Sequence, residues 1–197
     1  MKSGAHRIER VVMCLLVLAS PAAAIEVDPT PAQIQAAIDR GQQAAAVHQA
    51  PDRFYTRFGD YDGLHPSGFL ITKLGGLSLM ATHMALRGLE PSAAEIDQIM
   101  EAPTMLISTT IVGDRPAFAA NSYVALEQGG RVIKPLTVRA DGHARRSQTW
   151  PASPQFQATV VAMFRYIDFD PKARTTITVF PASGGAVSFS LNFGDIE

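Results

Sequence analysis

The fold of this chain is decided by its closing stretch, which reads Thr175-Thr-Ile-Thr-Val-Phe-Pro-Ala-Ser-Gly-Gly-Ala-Val-Ser-Phe-Ser-Leu-Asn-Phe193. In its second half, four large apolar side chains alternate with small polar ones: Val187, Phe189, Leu191 and Phe193. Only an extended strand places every second side chain on one face, so the stretch predicts a hairpin with one apolar face. Burying each of these side chains is worth about 1.5–3 kcal/mol. We therefore expect the hairpin to be scaffold, and Phe189→Ser to unfold the domain.

Similar alternation runs backward from the hairpin as far as Thr104. The segments with strand character are 105–112, 118–126, 131–138, 145–150 and 156–167, and they are separated by turn sequences such as Gly129-Gly130 and Asp141-Gly142. Short strands at regular spacing, joined by tight turns, are typical of an antiparallel sandwich. The sequence predicts about six or seven strands in an immunoglobulin-like or similar β-sandwich over residues 104–194.

Residues 30–102 are mainly helical in character, apart from an aromatic, turn-rich loop over 51–68 and a short candidate strand over 69–72. Thr30 and Gln33 form a capping box with Pro31 at the first helical position, and Ser92 and Glu95 form a second capping box. The run from Leu77 to Leu86 is apolar on most sides and predicts a buried helix, which we expect to pack on the closing hairpin. The chain is thus predicted to be α+β, with N-terminal helices followed by the sandwich.

The first 24 residues have the three-part pattern of a signal peptide. Lys2, Arg7 and Arg10 precede an apolar run over residues 11–18, and Ala22–Ala24 supply small residues for cleavage after Ala24. Spanning a bilayer needs roughly 20 apolar residues, so this run is too short to be a membrane anchor. The sequence predicts a single exported domain over residues 25–197, periplasmic or secreted, with no membrane span after signal cleavage.

Composition excludes several function classes. The only cysteine, Cys14, lies in the predicted leader, so the exported part forms no disulfide and no thiolate metal site. The formal net charge is −1, and removing the leader makes the chain slightly more acidic. A chain of this charge has no electrostatic footprint for nucleic acid.

Catalytic candidates lie in the aromatic, turn-rich segment 51–68. Asp60, Asp62 and His65 are the acid and base side chains that a fold could assemble there into an enzyme site, since loops on a rigid scaffold often carry function. The chain contains no G-x-S-x-G nucleophile motif and no glycine-rich phosphate loop. The alternative is that these aspartates hydrogen-bond their own turn.

Binding candidates are Tyr61, Arg145, Arg146 and Trp150. Arg145 and Arg146 belong to a small basic patch at a predicted hairpin tip, which could contact an acidic surface or a carbohydrate acid, although a solvated turn explains it equally well. Trp150 is the only tryptophan: an exposed position would indicate contact with a ligand or a partner, and a buried one would place it in the core.

Met80, His83 and Met84 share one face of the predicted helix 77–86. Thioether and imidazole groups together suit a soft metal ion such as copper. The competing interpretation is that the methionines fill gaps in a core.

The sequence favours a non-catalytic binding or accessory role in a bacterial-type cell envelope, with no cofactor. The expected partner is an unknown envelope protein or a small ligand. An enzyme built around the loop 51–68 and a periplasmic soft-metal binder remain the alternatives.

Overall fold

The computed structural model describes residues 24–196. Its helices are α1 (Pro31–Ala46), α2 (Lys73–Ala85) and α3 (Ala93–Met100). Its strands are β1 (Thr56–Gly59), β2 (Ser67–Ile71), β3 (Thr104–Gly113), β4 (Tyr123–Gln128), β5 (Arg131–Ile133), β6 (Thr137–Ala140), β7 (Arg145–Arg146), β8 (Phe156–Arg165), β9 (Arg174–Phe180) and β10 (Val187–Asn192). Single 3-10 turns occur at Pro51–Phe54, Tyr166–Asp168 and Phe193–Asp195.

The strands form two antiparallel sheets. The first sheet has the order β1-β2-β3-β8-β6, with β7 also paired to β8, and the second has the order β10-β9-β4-β5. The predicted α+β sandwich is confirmed. Strand β2 overlaps the short strand predicted at residues 69–72, whereas β1 lies in the segment 51–68 that was expected to be a loop. The two strands join the first sheet because β2 pairs with β3.

The core lies between the two sheets. Alternate residues of β8 point inward, as the sequence predicts, and they meet the inward residues of β4 and β9. The central buried side chains are those of Val124, Leu126, Val160, Phe164, Ile177 and Val179.

The closing strand β10 lies at the edge of the second sheet. Phe193 is fully buried, whereas Phe189 is only partly buried and packs on Phe58 with ring centroids 4.9 Å apart. This hairpin does not pack on the apolar helix α2, contrary to the prediction. Helix α2 packs against α1 and α3, in a separate apolar cluster centred on Ala37, Leu74 and Leu77.

A glycine allows α1 and α2 to approach closely. Gly41 lies inside α1 at the point where the two helices cross, and a Cβ at this position would be 2.3 Å from the Ser78 carbonyl oxygen. The Thr82 hydroxyl donates to the Gly41 carbonyl at 3.0 Å, and the Ser78 hydroxyl donates to the Ala37 carbonyl at 2.8 Å. Buried hydroxyls on α2 thus find acceptors on the backbone of α1.

The predicted capping boxes at Thr30–Gln33 and Ser92–Glu95 are both present. Helix α2 begins earlier than the apolar pattern indicates, at Lys73 rather than Leu77. The Thr72 hydroxyl accepts from the Gly75 backbone N–H at 3.0 Å and so caps the helix there.

Ile25 ties the start of the described chain into the fold. Its side chain is 1% exposed, and its backbone N–H donates to the carbonyls of Pro171 and Phe193, each at 3.3 Å. The predicted signal peptide, apart from Ala24, lies outside the described residues.

Four connections gather at one end of the sandwich, the loop end: residues 60–66, 114–122, 147–155 and 181–186. Helices α2 and α3 lie toward the other end, where Thr104 of β3 pairs with Arg165 of β8. The ten residues of β3 separate the two ends by about 30 Å.

Candidate functional site

The connections 60–66 and 147–155 meet at the loop end. The side chain of Gln148 lies across Gly63, so that a Cβ on Gly63 would be 2.4 Å from the Gln148 Nε2 atom. Gly63 has a φ of +75°, a conformation that favours glycine. The contact brings the segment that holds Tyr61 beside the segment that holds Trp150.

Tyr61 is held by its own hairpin. Its hydroxyl donates to the Gly68 carbonyl, and the guanidinium of Arg57 lies over its ring, 4.9 Å from the centroid. Arg57 is in turn paired with Asp52. Partial burial raises the pKa of the Tyr61 phenol, and the Arg57 charge opposes that rise. The residue as a whole remains 49% exposed, so the side chain is positioned and accessible at once.

Trp150 has a similar arrangement on the neighbouring loop. The Arg146 guanidinium lies 4.6 Å from the centre of its ring, and the indole packs on the Phe156 ring in a T-shaped arrangement with the centroids 5.3 Å apart. Trp150 is 39% exposed. Arg145, beside Arg146 on the short strand β7, is exposed as well.

Hydrogen bonds order the loop that carries Trp150. The Thr149 hydroxyl donates to the Pro154 carbonyl at 2.6 Å, and Ser147 donates to the same acceptor. Asp114, from the connection 114–122, accepts from the Ser153 hydroxyl and the Gln155 backbone N–H, both at 3.1 Å. Trp150 therefore lies on a loop whose conformation is fixed by hydrogen bonds.

Arg57, Tyr61, Leu64, Arg146 and Trp150 together form what we call the aromatic–arginine surface. Tyr61, Arg146 and Trp150 are predicted from the sequence, but Arg57 is not. Its position four residues before Tyr61 on the same hairpin is the feature that could have identified it. No pattern in the sequence relates Gly63 to Gln148.

The catalytic candidates are only partly brought together. The Asp62 carboxylate accepts from the backbone N–H groups of Leu64 and His65, at 2.8 and 3.0 Å, and its second oxygen lies 2.5 Å from His65 Nδ1. The Leu64 backbone hydrogen bond is the largest cause, followed by the His65 side chain, of lowering the Asp62 pKa to about 2. The same side-chain hydrogen bond raises the pKa of His65.

Both members of the Asp62–His65 pair are exposed, and Asp60, also exposed, acts on His65 only through its charge. The arrangement orients an imidazole, as acid–base sites do, but the same carboxylate also holds its own turn closed. Earlier in this segment, Arg53 and Phe54 line a cavity of ≈ 380 Å³ against α1.

The soft-metal candidates lie on α2 in different environments. His83 is exposed and Met84 half-buried, while Met80 packs against the helical cluster. Within residues 24–196, no three His, Cys, Asp or Glu side chains converge as a metal site would need. Over the same residues, no helix combines the length and the apolar character that a membrane span requires.

Comparison with known proteins gives few matches. No family model and no curated protein sequence matches the chain. Among solved structures, the archaellum periplasmic stator protein FlaG from Sulfolobus acidocaldarius is similar at 13% identity and a TM-score of 0.32, covering 46% of this chain and 88% of that chain.

A structure of the archaellum periplasmic stator protein complex of FlaF and FlaG from the same organism is similar at 14% identity and a TM-score of 0.28, covering 46% of this chain and 78% of that chain. Each similarity covers less than half of this chain.

Proposed function

We propose that this chain is an exported, non-catalytic binding domain of the cell envelope, which contacts a protein partner through the aromatic–arginine surface. One observation carries the proposal: the Gln148 side chain contacts Gly63, so the two loops that carry the arginine-stacked rings of Tyr61 and Trp150 touch at the loop end. Tyrosine, tryptophan and arginine are the residues most enriched where binding energy concentrates in protein interfaces.

The two stacked pairs favour a preorganised binding surface. Each guanidinium is held over a ring and each ring is anchored at one edge, Tyr61 to Gly68 and Trp150 to Phe156. Side chains that are already ordered lose less conformational entropy on binding. Leu64 lies in the same loop as Tyr61 and adds exposed apolar area.

The burial of Ile25 supports export with cleavage after Ala24. A cut at this position would leave the α-amine of Ile25 between the carbonyls of Pro171 and Phe193, where an ammonium group finds two acceptors. The experiment is to sequence the N-terminus of the protein recovered from the periplasm or medium. A first residue other than Ile25 contradicts this cleavage site.

Site-specific photo-crosslinking in producing cells tests the binding surface. A photoreactive residue at Leu64 leaves the stacked pairs intact, and one at Leu89, which is 54% exposed and lies between α2 and α3, is the matched control. We expect a discrete protein adduct from position 64 and none of that size from position 89.

Variants at the aromatic rings decide whether the adduct depends on the surface. Trp150→Ala and Tyr61→Ala should each reduce the adduct formed from position 64 at least several-fold, while Trp150→Phe, which keeps a ring under Arg146, should reduce it less. Circular dichroism checks that each variant is folded. Equal adducts in the native protein and both alanine variants would contradict the proposed surface.

A further inference from the structure

A second surface feature lies at the opposite end of the sandwich, between α2, α3 and the outer face of the first sheet. It is a groove of ≈ 520 Å³ whose apolar lining comes from the sheet residues Ile71 and Leu106 and the helix residues Met80 and Ile99. Ile71 and Leu106 are register partners on β2 and β3, so they form a continuous apolar floor. Gly76 in α2 leaves the space above that floor open, because it has no side chain.

The groove contains a buried positive charge. Lys73 is 9% exposed, its Nζ atom donates to the Met100 carbonyl at 2.6 Å, and its ammonium lies 5.3 Å from the centre of the Tyr166 ring. Among the residues that the structure describes, no carboxylate pairs with this ammonium. Lysine is rarely buried without a charged partner, since taking the charge out of water is costly.

The other polar groups along the groove are already engaged or neutral. The Glu95 carboxylate accepts from the Ser92 hydroxyl at 2.6 Å and from the Ser92 backbone N–H at 2.8 Å. The Tyr166 phenol oxygen accepts from the Lys73 backbone N–H, and burial raises its pKa to about 12, so the phenol stays neutral. Lys73 is thus the one cation among the groove-lining residues.

We propose that this groove binds an aliphatic monocarboxylate, with the hydrocarbon chain along Ile71, Leu106 and Ile99 and the carboxylate on the Lys73 ammonium. The hydrogen bond to Met100 uses one of the three ammonium donors, which leaves the others for an anionic oxygen. The ligand carboxylate would accept a charge-assisted hydrogen bond from Lys73 and act as the counter-ion that the described residues do not provide. The groove volume is in the range of about 300–1,000 Å³ that is usual for small-molecule sites.

The site is separate from the aromatic–arginine surface. Thr104 and Tyr166 line the groove at the end of the β3–β8 pair that is remote from the loop end. The proposal therefore does not rest on the proposed function, and each can fail alone.

Isothermal titration of the exported protein with decanoate, below its micellar concentration, tests the site, with decanol as the uncharged probe. We expect saturable binding of one decanoate per chain, with decanol at least tenfold weaker. Lys73→Met keeps most of the length of the side chain and removes its charge, and it should weaken decanoate binding at least tenfold with little change for decanol. Lys134→Met, at an exposed lysine, is the matched control and should leave both affinities unchanged.

A second variant fills the groove and keeps the Lys73 charge. A Cβ at position 76 would lie 3.6 Å from Ile99 Cγ2 and 3.7 Å from Ile71 Cγ2, which is ordinary contact, so Gly76→Leu can fill the groove from a helix that still folds. Thermal unfolding checks the fold, and decanoate binding should fall at least tenfold. Equal affinities for decanoate and decanol, unchanged decanoate binding in Lys73→Met or in Gly76→Leu, or no saturable binding would each overturn the proposal.

Discussion

Gly41 and Gly76 lie on neighbouring helices, but adding a methyl group has opposite consequences at the two positions. At Gly41 the new Cβ would be 2.3 Å from a backbone oxygen of α2, whereas at Gly76 the nearest atoms are side-chain methyls at normal contact distance. The difference arises from how close the neighbouring helix comes.

Alanine substitutions at these glycines should therefore change stability in opposite directions. Gly41→Ala should lower the free energy of unfolding by about 1–3 kcal/mol, because the helices must move apart. Gly76→Ala should raise it by about 0.5–1 kcal/mol through helix propensity. Urea unfolding of the two variants measures both values, and equal effects would contradict the close crossing at Gly41.

Asp62 and His65 should show coupled titration in NMR. The Asp62 pKa should lie near 2 and the His65 pKa above its usual value of 6.5. The stability from Asp62 is present above its unfolded pKa of 3.8 and is lost as the pH falls toward 2. The stability from His65 is present below pH 6.5 and is lost as the pH rises through its raised pKa. Between pH 3.8 and pH 6.5, Asp62 and His65 both contribute fully to the free energy of unfolding.

The variant His65→Ala separates the causes of the Asp62 shift. Since the Leu64 backbone hydrogen bond is the largest cause, the Asp62 pKa should rise in this variant but stay below 3.8. A return to 3.8 would mean that the imidazole alone holds the carboxylate.

Residue chemistry alone predicts part of the candidate site. Aromatic and arginine residues near predicted turns identify Tyr61, Arg146 and Trp150, because these residue types are enriched in protein interfaces. Lys73 has no comparable signal, because its burial depends on where Met100 and Tyr166 lie in the fold.

At the scale of elements, edge position modifies what alternation predicts. Strand β10 alternates as expected, but it has only one neighbour in the sheet, so Phe189 is half-buried while Phe193, just after the strand, is fully buried. Periodicity indicates which face is apolar and gives no information on how completely that face is covered.

The two phenylalanines should therefore differ in their cost of replacement. Phe193→Ala should lower the free energy of unfolding by about 3–5 kcal/mol, as expected for a fully buried ring. Phe189→Ser should cost about half as much and leave a folded domain, which revises the expectation of complete unfolding. Chemical denaturation of both variants gives the comparison, and equal losses would show that β10 is as central as β9.

The helices and strands differ in how far the sequence determines them. Helix α1, helix α3 and strand β8 are predicted because caps and alternation are local. Strand β1 is missed because its four residues acquire strand geometry only by pairing with β2. Helix α2 is predicted to start late, since Gly75-Gly76 resembles a break until the Thr72 cap is considered.

At the scale of the whole molecule, two candidate sites lie at opposite ends of one rigid sandwich. Strands β3 and β8 pair over ten residues and connect the two regions. Sites this far apart with no shared contacts generally behave independently.

We therefore expect additivity between the two ends. Trp150→Ala should leave the affinity for decanoate unchanged, and Lys73→Met should leave crosslinking from position 64 unchanged. Titration and crosslinking of the double variant should reproduce the two single effects. A departure of more than about 0.5 kcal/mol from additivity would show that the sandwich transmits a change between its ends.

The contact of Ile25 with Phe193 links the two ends of the described chain. It joins the beginning of the described chain to the residue that follows β10, so this contact forms only after the last described strand is available. Contacts between distant parts of a chain slow folding. Under the export proposed above, with the N-terminus crossing first, the Ile25–Phe193 contact would form only after β10 had crossed the membrane.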